Sequence, residues 1–274
     1  MRSADQVRVV AVTSGKGGVG KTNSAVNIAV ALAQAGEDVL LFDADLGLAN
    51  VDIALGLKPR YDLQHVMSGE RTLDEIMLTG PAGIRVIPAS SGVASMAALS
   101  TPEQAGLVRA FSDLSMPVDT MIVDTGAGID STVLTFTAAC SEVIVVICDE
   151  PTSLTDGYAL IKVLNQHCDV KRFQVLANMV ENEMEGKQLF SKLCGVCDRF
   201  LDVHLGYLGA VPRDEYLRRA VRAQSPVICD YPRSTSARAF TEVAKRIAQL
   251  PVREGSGGLG FFMERMVEYR SGAA

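Results

Sequence analysis

Short apolar runs alternate along this chain with segments whose apolar residues recur every three or four positions. Residues 7–12, 39–42, 84–87, 121–123, 143–148, 174–177 and 205–211 are rich in Val, Ile and Leu, and apolar on both alternating faces. Strands of a parallel sheet covered on both sides read this way. Between them, 22–35 reads as a helix closed by Gly36. Thr101-Pro102-Glu103-Gln104 supplies the N-cap, N1 proline and N3 glutamine of a capping box, opening a helix through Leu114. Further helices are expected at 151–164, 187–200, 215–223 and 237–250. Strand and helix in this order predict an α/β fold, a doubly wound and mostly parallel sheet with helices on both faces. Ligands of such sheets bind at the carboxyl ends of the strands. Residues 1–250 read as one domain, and the four glycines of 251–260 as a flexible linker. Residues 261–274 then read as an amphipathic helix and tail.

Composition narrows the class. Of 274 residues, 48% are hydrophobic and 21% charged, which excludes disordered and fibrous chains. No apolar run approaches the roughly 18 residues that span a bilayer. Met1 to Gln6 lack the apolar core of a signal peptide, so a cytoplasmic protein is expected. Six dispersed cysteines read as reduced core thiols. A net charge of −6 and the absence of Trp argue against nucleic acid as a direct partner.

The strongest chemical signal is Gly15-Lys16-Gly17-Gly18-Val19-Gly20-Lys21-Thr22, placed between a strand and a helix. Such a loop curls backbone N–H groups around phosphate oxygens, and the helix N-terminus adds partial positive charge. Lys21 is expected to reach the β- and γ-phosphates of ATP, or the β-phosphate of ADP, and Thr22 to ligate Mg²⁺. Asn23 follows in the first turn. Two apolar strands run into carboxylates, one into Asp43-Ala44-Asp45 and the other into Asp124. Acids at strand ends beside a phosphate loop hold Mg²⁺ directly or through water. An Asp at such a place also caps a following helix, and that reading stands beside the first.

Lys16 makes the loop Lys-Gly-Gly-Val-Gly-Lys-Thr, and with it the chain resembles the deviant Walker A ATPases of the MinD/ParA family. The match runs through Asp43-x-Asp45-x-Gly47-x-x-Asn50-x-Asp52, Asp124-Thr125-Gly126-Ala127-Gly128-Ile129-Asp130, Asp149-Glu150-Pro151-Thr152-Ser153 and Asn178. It ends in Gly209-Ala210-Val211-Pro212-Arg213-Asp214. Within the family it is most similar to the FlhG/FleN regulators of flagellar number. The resemblance implies a slow ATPase that dimerises on ATP, with Lys16 crossing to the partner's phosphates. It implies that Asp45 orients the attacking water and that Asp43 and Asp124 lie near Mg²⁺. Glu150 would contact the partner's nucleotide, and Asn178, Pro212 and Arg213 would form the adenine pocket. Implied partners are a FleQ-like flagellar transcription activator and an FlhF-like SRP-type GTPase.

Leu259, Phe262, Met263, Met266 and Val267 fall at helical spacing. Two readings follow: a helix lying on anionic membrane at the inner face of the cytoplasmic membrane, or a helix docked on its own domain. Cys194-Gly195-Val196-Cys197 could serve an iron–sulfur carrier, though a lone pair within a helix reads first as structural. Arg213, Arg218, Arg219 and Arg222 read as a solvated helix face before a DNA-partitioning surface.

Overall fold

The computed structural model describes residues 7–45, 50–89, 101–251 and 259–271. Eight strands form one sheet: β1 (Arg8–Ser14), β2 (Val39–Ala44), β3 (Leu78–Thr79), β4 (Arg85–Ile87), β5 (Thr120–Ala127), β6 (Glu142–Cys148), β7 (Arg172–Val180) and β8 (His204–Pro212). Their order is β3-β4-β2-β5-β1-β6-β7-β8, and among the described residues only the β3–β4 pairing is antiparallel. This is the doubly wound sheet expected from the alternating pattern. β1 lies between β5 and β6, so the chain after it leaves the sheet where the winding reverses. Crevices at such reversals admit ligands.

Helices α1 (Lys21–Gln34), α9 (Glu215–Arg222), α10 (Val227–Asp230) and α11 (Thr235–Gln249) cover one face. There Val10 and Val12 of β1 pack into one apolar cluster with Ile28, Leu32, Phe240 and Val243. α5 (Thr101–Ser112), α6 (Ser131–Ala139), α7 (Pro151–Cys168) and α8 (Glu183–Phe200) cover the other face. Val9 and Ala11 pack there with Phe42, Phe111 and Phe136, while Val143, Val145 and Ile147 pack with Leu160 and Leu189. Burial of both strand faces is why the runs carry no polar alternation.

Several boundaries moved for local reasons. β4 begins at Arg85, and β8 extends from His204 to Pro212. α8 starts at Glu183, four residues before the expected 187, because the Asn182 side chain accepts the Glu185 amide at 3.0 Å. α11 starts at Thr235, capped by Ser234, whose Oγ accepts the Ala237 amide at 3.2 Å. α5 does begin at Thr101, but the side chains of its capping box lie outside the described residues. The short helices α2 (Val51–Ala54), α3 (Leu63–Met67) and α4 (Leu73–Ile76), and the two-residue β3, had no periodic signal to announce them.

The tail resolves one open choice for this conformation. α12 (Leu259–Ser271) begins two residues before the expected 261. Leu259, Phe262, Met263 and Met266 are buried in the cluster that holds Phe42, Phe111 and Phe136, with α12 seated on α5 and α6. Arg265 donates to the Ala138 carbonyl at the end of α6, at 3.0 Å. The stripe read as a membrane contact is therefore occupied by the protein's own core, and Val267 beside it is half-buried.

Candidate functional site

The phosphate loop joins β1 to α1 at the carboxyl edge of the sheet. Gly20 caps α1 in a left-handed conformation (φ 87°) and offers no side chain to the helix amides. A Cβ there would collide with the Asn178 amide, and one at Gly15 would collide with the Asp156 carbonyl. Glycine is thus required by both backbone shape and close approach. The first turn of α1 holds no acidic residue, so its amides and partial charge remain for an anion. Ser14 Oγ donates to the Lys16 carbonyl at 2.7 Å and shapes the start of the turn. Lys21 is 9% exposed inside the loop, whereas Lys16 stands at its rim with 31% of its side chain exposed.

The carboxylates converge beside this loop. Asp43 and Asp124 are paired neighbours on β2 and β5. They differ in what they hold. Asp43 accepts the amides of Asp45 (3.2 Å), Asn50 (3.0 Å) and Val51 (3.1 Å). Burial pushes its pKa up to about 6, and those three amides pull against the rise. The helix-cap reading is realised here, since Asn50 and Val51 open α2. Asp124 is sealed from solvent, and neither carboxylate oxygen accepts a well-formed hydrogen bond among the described residues. Burial pushes its pKa up to about 7, with the Thr22 hydroxyl and Lys21 drawing it down and the Asp43 charge adding to it. An uncompensated buried carboxylate beside a threonine hydroxyl is the donor set a hard divalent cation takes. The residues fit Mg²⁺, with Thr22 and Asp124 nearest to that role and Asp43 engaged by backbone. Asp45 lies next to Gly126, where a Cβ would stand 3.6 Å from its Oδ1. Residues 46–49, which include Gly47 of the motif, lie outside the described residues.

A cavity of about 640 Å³ adjoins the loop, lined by Gly20, Asn23, Asn178, Pro212, Arg213 and Phe240, among others. Asn178 is 2% exposed, and its Nδ2 donates to the Val19 carbonyl at 2.7 Å, tying the end of β7 to the loop. Its Oδ1 is buried without a partner among the described residues, leaving an acceptor for a donor such as an exocyclic amine. Arg213 Nε donates to the Met179 carbonyl at 2.8 Å, and Met179 holds the left-handed φ of 57°. Arg218 and Arg222, read as a solvated face, also line this cavity. Met179, Leu217 and Phe240 join the lining from outside any motif; only folding brings them there.

Glu150 lies outside the lining of this cavity. It lies two residues past β6 as the N-cap residue of α7, and its Oε2 accepts Lys16 Nζ at 2.7 Å. Cys194 and Cys197 lie one turn apart on α8, and burial pushes the Cys197 thiol up to about 11.

The comparisons with known proteins agree with this geometry. A family model described as ParA, NUBPL iron-transfer P-loop NTPase matches residues 6–248. The chain belongs to the ParA/MinD family of P-loop NTPases. It is 51% identical over 270 residues to the antiactivator FleN of Pseudomonas aeruginosa, covering 98% of this chain and 96% of that one. It is 32% identical over 267 residues to the flagellum site-determining protein YlxH of Helicobacter pylori, covering 96% and 90%. Among solved structures, MinD in the MinC:MinD complex of Aquifex aeolicus superposes with a TM-score of 0.72 at 25% identity, covering 92% of this chain and all of that one. The Mg-ADP complex of MinD from Pyrococcus horikoshii gives 0.69 at 24% identity, covering 89% and 96%. As a ParA/MinD-family NTPase, the chain has a phosphate loop suited to a nucleotide with Mg²⁺.

Proposed function

We propose that this protein is an ATP-gated dimerising switch that restrains a flagellar transcription activator and so sets flagellar number or placement. The observation that carries the reading is the division of labour between the two loop lysines. Lys21 is enclosed within its own loop, while Lys16 lies at the exposed rim, turned away from that loop and toward Glu150. A second cation not needed in cis is available for the phosphates of a facing subunit. There it would stabilise charge on the transferred phosphoryl group as an arginine finger does. The names of the similar proteins, an antiactivator and a flagellum site-determining protein, support the flagellar setting.

In this reading the Gly15–Thr22 loop and Lys21 bind the phosphates of ATP or ADP. Thr22 and Asp124 would hold Mg²⁺, with Asp43 behind them, and the ion supplies charge neutralisation on the β- and γ-oxygens. Asp45 orients the attacking water, and Asn178, Pro212 and Arg213 enclose the base. Hydrolysis is slow because the dimer, rather than turnover, is the signal. The FleQ-like activator is the first partner and an FlhF-like SRP-type GTPase the second. The protein works in the cytoplasm, with the membrane's inner face reached only when α12 leaves its groove. An iron–sulfur carrier has less support, since Cys197 is fully buried and its thiol strongly resists ionisation.

Light scattering of the full chain with Mg-ADP and then Mg-ATP tests the switch. Doubling of mass with ATP alone is expected. A monomer under both nucleotides would remove the dimer switch and leave Lys16 without its role.

A further inference from the structure

Asp214 stands between two helices that wall the nucleotide cavity. Its Oδ1 accepts the Tyr216 amide at 2.8 Å and so caps α9. Its Oδ2 accepts three more hydrogen bonds, all from the first turn of α11. They come from Thr235 Oγ1 at 3.0 Å, Ser236 N at 2.9 Å and Ser236 Oγ at 2.8 Å. Burial works to raise the carboxyl's pKa, but the bonds from Ser236, Tyr216 and Thr235 outweigh it and hold it below the usual range. The group therefore stays charged, which makes each of these bonds stronger than a neutral one.

Capping α9 needs only one oxygen, and Asn or Ser would serve that purpose. The second oxygen is given wholly to α11. Those two helices bring opposite parts of the cavity lining, with Leu217, Arg218 and Val221 on α9 and Phe240 on α11. α9 has apolar anchors as well: Ala220 and half-buried Leu217 pack into the cluster that holds Phe240. Of its eight residues only Ala220 is buried, helped by a ring contact of 5.0 Å between Tyr216 and Tyr231. The clamp adds directional hydrogen bonds to this non-directional packing, and these set how far α9 stands from α11.

The geometry points to Asp214 as a positioning residue for the nucleotide base: one carboxylate fastens α9 to α11 and sets the width of the cavity between them. This rests on the nucleotide reading given above. The phosphate loop lies on other elements and is untouched by the clamp, so the base and phosphate ends of the ligand should respond differently to its loss.

Calorimetry on the full chain with Mg²⁺ separates the two ends, using ATP and inorganic tripolyphosphate as ligands. Asp214→Ala is expected to weaken ATP about tenfold, the size of one or two lost charged hydrogen bonds, and to leave tripolyphosphate unchanged. Asp214→Asn, which retains one carbonyl acceptor, should fall between. The double variant Thr235→Val with Ser236→Ala leaves the α9 cap in place and removes both hydroxyl donors. It should weaken ATP severalfold, again sparing tripolyphosphate. Unchanged ATP affinity in the double variant would reduce Asp214 to a helix cap and overturn the clamp. Parallel loss of tripolyphosphate would show general damage and overturn it too. If the unaltered chain binds ATP no more tightly than tripolyphosphate, the base cavity itself is misassigned and the clamp falls with it.

Discussion

Lys16 Nζ donates to Glu150 Oε2 at 2.7 Å and to Thr152 Oγ1 at 3.1 Å, which holds the rim lysine of the phosphate loop against the start of α7. Half of the Glu150 side chain is exposed, so solvent screens the pair and its rupture costs little. The contact competes with any trans role for Lys16. Glu150→Gln should leave the melting temperature unchanged and let Mg-ATP drive dimerisation at lower protein concentration, read by light scattering across a dilution series. A variant needing more protein to dimerise would show that Glu150 serves the partner's nucleotide instead.

The two loop lysines should separate in kinetics. Lys21→Gln removes a buried cation from the loop and should abolish nucleotide binding. Lys16→Gln should bind Mg-ATP within about twofold of the unaltered chain yet hydrolyse it roughly a thousandfold more slowly, the loss expected for a trans-acting cation. Equilibrium binding with single-turnover hydrolysis measures both. Equal binding defects in the two variants would deny Lys16 its separate task.

Asp124 carries a buried carboxylate whose oxygens lack well-formed hydrogen bonds. Such a group destabilises the fold until a cation arrives. Asp124→Asn should therefore raise the melting temperature of the nucleotide-free protein while erasing the further rise that Mg²⁺ adds to ADP. A variant that melts lower and still responds to Mg²⁺ would assign Asp124 a purely structural part.

Most of the fold was legible because buried parallel strands are short, apolar on both faces and bounded by helices of different period. Each of the seven expected strands is found, with ends moved by a few residues. β3 was not legible, since two residues carry no period. Asn182 and Ser234 shifted helix starts through side-chain caps that compete with the apolar pattern. At the site, spacing located the loop and the acids, and the register of β2 with β5 brings Asp43 beside Asp124. It left open whether Asp43 would cap a helix or face the ion, because two of the three amides it accepts, those of Asn50 and Val51, lie seven and eight positions ahead at a separate helix. Phe240 and Met179 reach the cavity only through the packing of α11 and the left-handed turn at the end of β7. No local pattern encodes either.

The thiols offer a pH-dependent test of the carrier reading. Burial raises Cys194 and Cys229, and raises Cys197 to about 11, but of the three only Cys229 is exposed. Alkylation requires the thiolate, so a raised pKa means slow reaction at neutral pH, with the rate climbing tenfold per unit until the pKa is reached. At pH 8 roughly 0.1% of Cys197 would be ionised. Mass spectrometry after iodoacetamide should find Cys229 modified well before Cys197 in the folded protein. Early modification of Cys197 would reveal an activated thiol and revive metal or cluster transfer.

α12 gives the last test, because its apolar stripe has two uses that cannot be served at once. Docked, Leu259, Phe262, Met263 and Met266 complete the cluster around Phe42 and Phe111. Released, the same residues would face lipid, and a single three-turn helix binds an anionic surface only weakly. Two copies in a dimer would add avidity. A chain ending at residue 251 should lose about 5 °C or more in melting temperature, bind a hydrophobic dye at the opened groove and keep Mg-ATP affinity. The full chain should sediment with anionic vesicles under Mg-ATP and remain in solution under Mg-ADP, while the shortened chain remains in solution under both. If the full chain ignores vesicles even as an ATP dimer, α12 is a fixed part of the domain and its stripe is core. Its loss of stability on truncation would then be the whole of its role.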